Sequence, residues 1–263
     1  MATFNKRGYK APKEKADKLD NTYIEDVNVD DKDSTTAKAF DALDQTASKA
    51  EDFVERNQKA IFGFVAVVAL VTVGYLMYQK FVAEPKEEDA ANELFVSQQN
   101  FQKAVDDVTG TKSDSLFNLV LKGSEGKFGV VKIADEYSGT DAGNQANYMA
   151  GIAYLNTGKY AEAIASLEKF SSKDIMLSTL AKGAIGDANA QQNNQKEALD
   201  FYIKAADASK NELTRPRFLL KAGKTSLALG NKADALKYFT DIKDNFESSP
   251  EGQSIEALIG LAQ

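Results

Sequence analysis

The chain has 263 residues, a formal net charge of −7, and no cysteine, histidine or tryptophan. Those absences remove thiol and imidazole nucleophiles, imidazole general bases and every zinc site built on Cys or His, so any metal would need an all-oxygen site of the Mg²⁺ or Ca²⁺ kind. The acidic balance argues against duplex nucleic acid as a partner, because neutralising phosphates requires a basic face.

No phosphate loop, calcium loop or nucleophile elbow is present in the sequence. A non-enzymatic protein that needs no cofactor is therefore expected. With no cysteine there is no disulfide framework, and cysteine usage does not choose between a reducing and an oxidising compartment.

Residues 1–33 are polar and charged and lack a sustained apolar period, which predicts a tail without stable structure. From 34 to 59 the pattern changes. Ser34 or Thr35 is placed to cap a helix, and Phe40, Leu43, Ala47, Ala50 and Val54 recur at spacings of three and four. This amphipathic juxtamembrane helix has three uses open to it: lying on a membrane surface, meeting a partner, or continuing the helix that follows.

That helix is the most apolar part of the chain. Between Lys59 and Lys80 lie 20 residues without a formal charge, "AIFGFVAVVALVTVGYLMYQ". At 1.5 Å per residue they span about 30 Å, the thickness of a bilayer's hydrocarbon core. Tyr75 and Tyr78 fall near one end, where amphipathic rings favour the interface. A transmembrane helix over 60–81 is expected, single-pass and in contact with the lipid bilayer. The long polar stretch ahead of it, and Phe81 in the candidate cleavage triplet, argue for an uncleaved anchor. Lys49, Arg56 and Lys59 precede the span, and Lys80 and Lys86 follow it. This small excess favours a cytoplasmic N-terminus.

Pro85 is expected to end or kink the anchor helix and to open the next one, over about 87–108, which carries Leu94, Phe95, Phe101, Ala104, Val105 and Val108. Beyond it, helical runs of about 12–16 residues alternate with short Gly, Asn, Ser or Asp breaks and show no β alternation. The extracytoplasmic part, 86–263, is predicted to be all-α.

Three of its hairpins share one register. "MAGIAYLNTGKYAEAIASLEKF" (149–170) places Gly151, Gly158, Tyr160, Ala163, Leu167 and Phe170 at packing intervals. "LAKGAIGDANAQQNNQKEALDFYIKAA" puts Gly186 and Ala198 at an offset of 35 from Gly151 and Ala163, with Tyr202 where Leu167 stands. "LLKAGKTSLALGNKADALKYFTDI" repeats the pattern with Gly223, Gly230, Ala235 and Phe239 at a further offset of 37. Asn193 stands where the other copies have a turn glycine, and Gln195 and Lys232 replace the aromatic Tyr160. A half-copy, "GKFGVVKIADEY", precedes them, with Phe128 and Val131 in the places of Tyr160 and Ile164. Its first helix is either "SDSLFNLVLKG" or the 87–108 segment. Residues 254–263 read as a closing helix.

These intervals resemble the tetratricopeptide repeat. The resemblance implies an all-α fold: a single transmembrane helix followed by an α-solenoid of three to four hairpins. Gly151, Ala163, Gly186, Ala198, Gly223 and Ala235 would be its packing positions. Stacked hairpins of this kind line a concave groove with their first helices. By register the groove positions are Gln145, Tyr148, Ile152 and Asn156, then Asp187 and Gln191, then Arg217, Leu220 and Lys224. They do not reproduce the Lys/Asn/Arg pattern of repeats that clamp a C-terminal carboxylate.

The arrangement of tail, anchor and array resembles the YfgM-type ancillary subunits of the bacterial Sec translocon. Glu51–Phe81, with Asn57 and Lys59 ahead of the span, is similar to that family's anchor, and "ANELFVSQQNFQKAVDD" to the helix after it. The N-terminal 50 residues are longer than the family pattern. The resemblance implies an inner-membrane protein with a periplasmic array. Its expected partners are the Sec channel subunits, a membrane-anchored prolyl isomerase-like chaperone and secreted client polypeptides. A scaffold in another envelope or secretion complex stays open, as does a regulatory role for the cytoplasmic segment.

Overall fold

The structure is a computed structural model that describes residues 35–107 and 110–263. The polar stretch 1–33 and Ser34 lie outside the described residues. Every regular element among the described residues is helical. They divide between Val71 and Thr72 into two units, so the division falls inside the apolar helix.

Helix α1 (Thr35–Tyr78) runs without interruption from the amphipathic stretch into the apolar run. The described part of the 34–59 segment is thus continuous with the apolar run in the backbone. The apolar side chains from Phe62 to Tyr78 are exposed, and no residue of the most hydrophobic window is buried. A core helix of a soluble domain would be packed on most sides. α1 thus contains a helix long and apolar enough to cross a membrane.

The expected break at Pro85 takes a different form. α1 passes through a π-helical turn, Gln79–Ala83, directly into α2 (Glu84–Val105), with Pro85 in the first turn of α2. Pro85 has no N–H to give the Phe81 carbonyl, and its ring would press on that oxygen in a regular α-helix. Widening the turn, with the Glu84 N–H bonded to the carbonyl of Gln79, removes the conflict without a loop.

Two shorter helices follow, α3 (Ser113–Lys122) and α4 (Val130–Glu136). Three hairpins come next. They are α5 (Asp141–Asn156) with α6 (Tyr160–Lys169), α7 (Ile175–Gln191) with α8 (Gln195–Ala208), and α9 (Arg215–Ala228) with α10 (Lys232–Asn245). α11 (Ile255–Ala262) packs on α10 and closes the series. The half-copy is not a fourth hairpin of the same kind. α4 lies mainly against α5, whereas α2 and α3 pair with each other, and Phe128 precedes α4 instead of starting it.

One contact recurs at each hairpin. A Cβ added to Gly151 would stand 2.3 Å from the Leu167 Cγ, one on Gly186 2.6 Å from the Tyr202 ring, and one on Gly223 2.3 Å from the Phe239 ring. In all three the glycine and the large side chain are 16 residues apart, so one crossing geometry is built three times. Ala163, Ala198 and Ala235 are fully buried beside these crossings.

The hairpin turns are equally uniform. Gly158, Asn193 and Gly230 have φ of +75°, +63° and +79°. Each N–H bonds the carbonyl three residues back, and the next N–H reaches five back, from Lys159 to Tyr154, Asn194 to Asn189 and Asn231 to Ser226. This is the Schellman termination, which needs a left-handed residue. Asn tolerates that conformation better than other non-glycine residues, which is how the second copy keeps the turn without glycine.

The crossing makes the glycines separable by experiment. Gly223→Ala is expected to lower the stability of the full-length protein by about 1–3 kcal/mol, because Phe239 has no room to retreat. Gly260→Ala, with nothing within 4 Å of its added Cβ, should leave stability unchanged or raise it by up to about 1 kcal/mol. Thermal unfolding in detergent, followed by circular dichroism, distinguishes the two.

Candidate partner-binding groove

The first helices of the three hairpins, α5, α7 and α9, carry the groove positions, and the structure joins them through three adjoining pockets. Tyr148, Ile152, Asn156, Asp187 and Arg217 line one pocket of about 180 Å³, together with Leu180, Gly183 and Phe218. Three successive hairpins thus contribute to one concavity. Gly183 is part of its floor because the Phe218 ring occupies the space a side chain would need, with its Cε1 2.0 Å from an added Cβ.

Tyr148 also borders a second, larger pocket of about 530 Å³. Gln145, Met149, Phe170 and Leu177 line it with it, and α2 adds Gln98, Phe101 and Gln102. The Tyr148 and Phe170 rings pack at 5.0 Å. Burial raises the pKa of the Tyr148 phenol, so it stays a neutral donor and acceptor at physiological pH. Gln98 donates to the Gln145 side chain at 3.1 Å, fixing one wall.

Asp187 and Gln191 border the third pocket, of about 370 Å³, with Leu155, Tyr160, Tyr202 and Lys221. Asp187 is engaged within the protein. The Lys221 ammonium donates to its Oδ2 at 2.7 Å, and the Tyr202 hydroxyl donates to its Oδ1 at 2.8 Å. Burial first, then the charge of Asp187 and this hydrogen bond, push the Tyr202 pKa well above its ordinary value. The trio ties α7 to α8 and α9.

The remaining groove positions lie apart from these pockets. Leu220 is half-buried and packs against the C-terminal core, and Lys224 is exposed on α9. The Asn156 amide is turned back to the Ile152 carbonyl at 2.8 Å.

Sequence reasoning missed α2 as a wall of the groove, and it missed how α2 is fastened. Glu87 accepts from the backbone N–H of Asp141 at 2.7 Å and of Ala142 at 2.9 Å, and the Thr140 hydroxyl accepts from that of Gly143 at 2.9 Å. The first three N–H groups of α5 are therefore satisfied, and a carboxylate sits at the positive end of its dipole. Further along, Glu93 accepts from Lys127 at 2.8 Å and from the Phe128 N–H at 3.0 Å, while Asn100 donates to Ser124 at 2.9 Å. Lys221 also escaped notice. Its distance of 34 residues from Asp187, close to one repeat, was the available signal.

A family model of the tetratricopeptide repeat matches residues 148–212. Over that stretch the chain is similar to the tetratricopeptide repeat. The matched stretch covers the second half of α5 and all of α6, α7 and α8, and the α9–α10 hairpin beyond it has the same crossing and the same turn. No curated protein and no solved structure matches the chain. Tetratricopeptide repeats form a protein-interaction fold without catalytic machinery of its own, and their concave face is suited to segments of partner proteins. Among the described residues no group of three or more Asp or Glu side chains is placed to hold a metal ion.

The Lys127 hydrogen bond, followed by that of the Phe128 N–H, holds the Glu93 carboxyl below its ordinary pKa. A depressed carboxylate pKa contributes stability above the unfolded-state value, and that contribution is lost as pH falls through the folded-state value. Glu93→Gln is therefore expected to lower stability by about 1–2 kcal/mol at neutral pH. The difference from the unaltered protein should close as the pH is lowered below about 4. Denaturant titrations at several pH values check both statements.

Proposed function

We propose that this chain is a membrane-tethered, non-enzymatic docking protein, accessory to the bacterial Sec translocon. It crosses the inner membrane once, with a cytoplasmic N-terminus and a periplasmic repeat array. Its groove docks a membrane-anchored prolyl isomerase-like chaperone and assists the handling of translocated polypeptides. The observation that carries this reading is the chain order. An uncovered apolar helix leads straight into α2, and α2 is locked by Glu87 and Glu93 onto a repeat array that shows a groove.

Such an order gives the groove a fixed address. A tether raises the effective concentration of nearby partners, so weak individual contacts suffice for steady engagement. The resemblance of Glu51–Phe81 and Ala91–Asp107 to the translocon-associated family supplies the identity of those partners. The groove residues named from register, from Gln145 to Lys224, are the positions proposed to meet them.

Full-length tagged protein solubilised in mild detergent should co-purify with Sec channel subunits and with a prolyl isomerase-like chaperone, identified by mass spectrometry. Deleting residues 90–263 should remove the chaperone. A distinct envelope complex in place of the channel would overturn the translocon assignment and leave a tethered scaffold.

A further inference from the structure

Charge is distributed unevenly over the array. α9 holds four cations (Arg215, Arg217, Lys221 and Lys224) and no acidic residue, in a chain whose acidic residues outnumber its basic ones, 39 to 32. By contrast, each of the second helices α6, α8 and α10 has at least as many acidic residues as basic ones. The basic excess therefore belongs to a helix of the groove.

Within that helix the four cations have different duties. Arg215 is held by Asp241 at 3.1 Å and bonds the Ala206 carbonyl, and Lys221 is spent on Asp187. Arg217 and Lys224 are exposed and form no ion pair among the described residues. Arg217 borders the same pocket as Tyr148 and Ile152. The Lys221–Asp187 pair also neutralises the one carboxylate that the groove positions include, so the field over α9 is cationic.

The opposite end is mixed in character. Phe101, Tyr148, Met149, Phe170 and Leu177 line the 530 Å³ pocket together with six polar residues, Asp141 among them, and Tyr148 is shared with the pocket that Arg217 borders. A space of that size accepts a large aliphatic or aromatic side chain. Moving from α2 towards α9, the groove thus offers a hole with aromatic and aliphatic side chains among polar ones, then polar positions, then two cations without an ion pair among the described residues.

Taking the docking reading as its basis, we infer that the groove binds an extended acidic peptide segment carrying one large apolar side chain. The apolar side chain enters the hole beside Tyr148 and Phe170. Acidic side chains of the same segment lie over Arg217 and Lys224. Rim charges of this kind select partners and speed encounter more than they add affinity.

The test uses the full-length protein in detergent and fluorescent peptides of about twelve residues, long enough to cross three repeats. One peptide is rich in Glu and Asp around a single Phe. In a second, Gln and Asn replace the acids, and in a third Ala replaces the Phe. The acidic Phe peptide should bind most tightly by anisotropy, and its affinity should fall at least tenfold between about 0.05 and 0.3 M salt. R217Q/K224Q should weaken it by about tenfold while leaving the neutral peptide unchanged. K196Q/K237Q, on the second helices, should change nothing.

Equal binding of acidic and neutral peptides, or no effect of R217Q/K224Q, would overturn the inference. So would failure of every peptide to bind. The docking reading is judged separately, by whether the unaltered array retains its co-purifying partner.

Discussion

The packing of the array depends on a single distance. Where the two helices of each hairpin cross, the backbone of the first must come close enough for a Leu, Tyr or Phe of the second to lie on it. Gly151, Gly186 and Gly223 permit this because they lack the Cβ that would collide. The large side chain then buries its face on bare backbone, and a fully buried alanine completes each crossing. Because the crossing is the same each time, each hairpin offers its neighbour a similar surface. Repetition of one local solution generates the solenoid and, with it, the concave face.

An array of this kind has exposed ends, and here they are closed differently. At the C-terminal end α11 buries Ile255 and Ala262 against the last hairpin. At the N-terminal end α2 takes that part, and its bonds are unusually polar: Lys86, Glu87, Glu93 and Asn100 all reach the loops around α3, α4 and α5. These polar bonds add to apolar packing, since α2 buries Ala90, Leu94 and Ala104 in the core at this end while Phe95 and Val105 stay exposed. The same helix walls the largest of the three groove pockets, so the element that follows the apolar run also shapes the site.

Much of the architecture was legible in the sequence because its causes are local. A run of 20 uncharged residues and a glycine with its large partner 16 positions on are both spacings along one chain. The turn at Asn193 was legible as a departure, and φ of +63° shows that the departure is chemical and not conformational. What stayed hidden depends on which faces meet. The Asp187–Lys221–Tyr202 trio needs the rotation of three helices, and Glu87 reaches α5 across 54 residues. Pro85 signalled a disturbance in the helix, but its resolution as a π-helical turn follows from backbone hydrogen bonding that no spacing encodes. The groove was read by register, and five of its nine positions meet in one pocket. Leu220, half-buried, also packs against the C-terminal core.

The account's central claim is that the apolar helix is a membrane anchor with the repeat array on its outer side. The chain's lack of cysteine makes a direct measurement simple. Ser48→Cys and Lys173→Cys, both at exposed positions, would each be introduced alone into the full-length protein in bacterial cells with a permeabilised outer membrane. A membrane-impermeant maleimide should label the cysteine at 173 in intact cells and the one at 48 only after the inner membrane is broken. Labelling of both before lysis, or of 48 alone, would contradict the account.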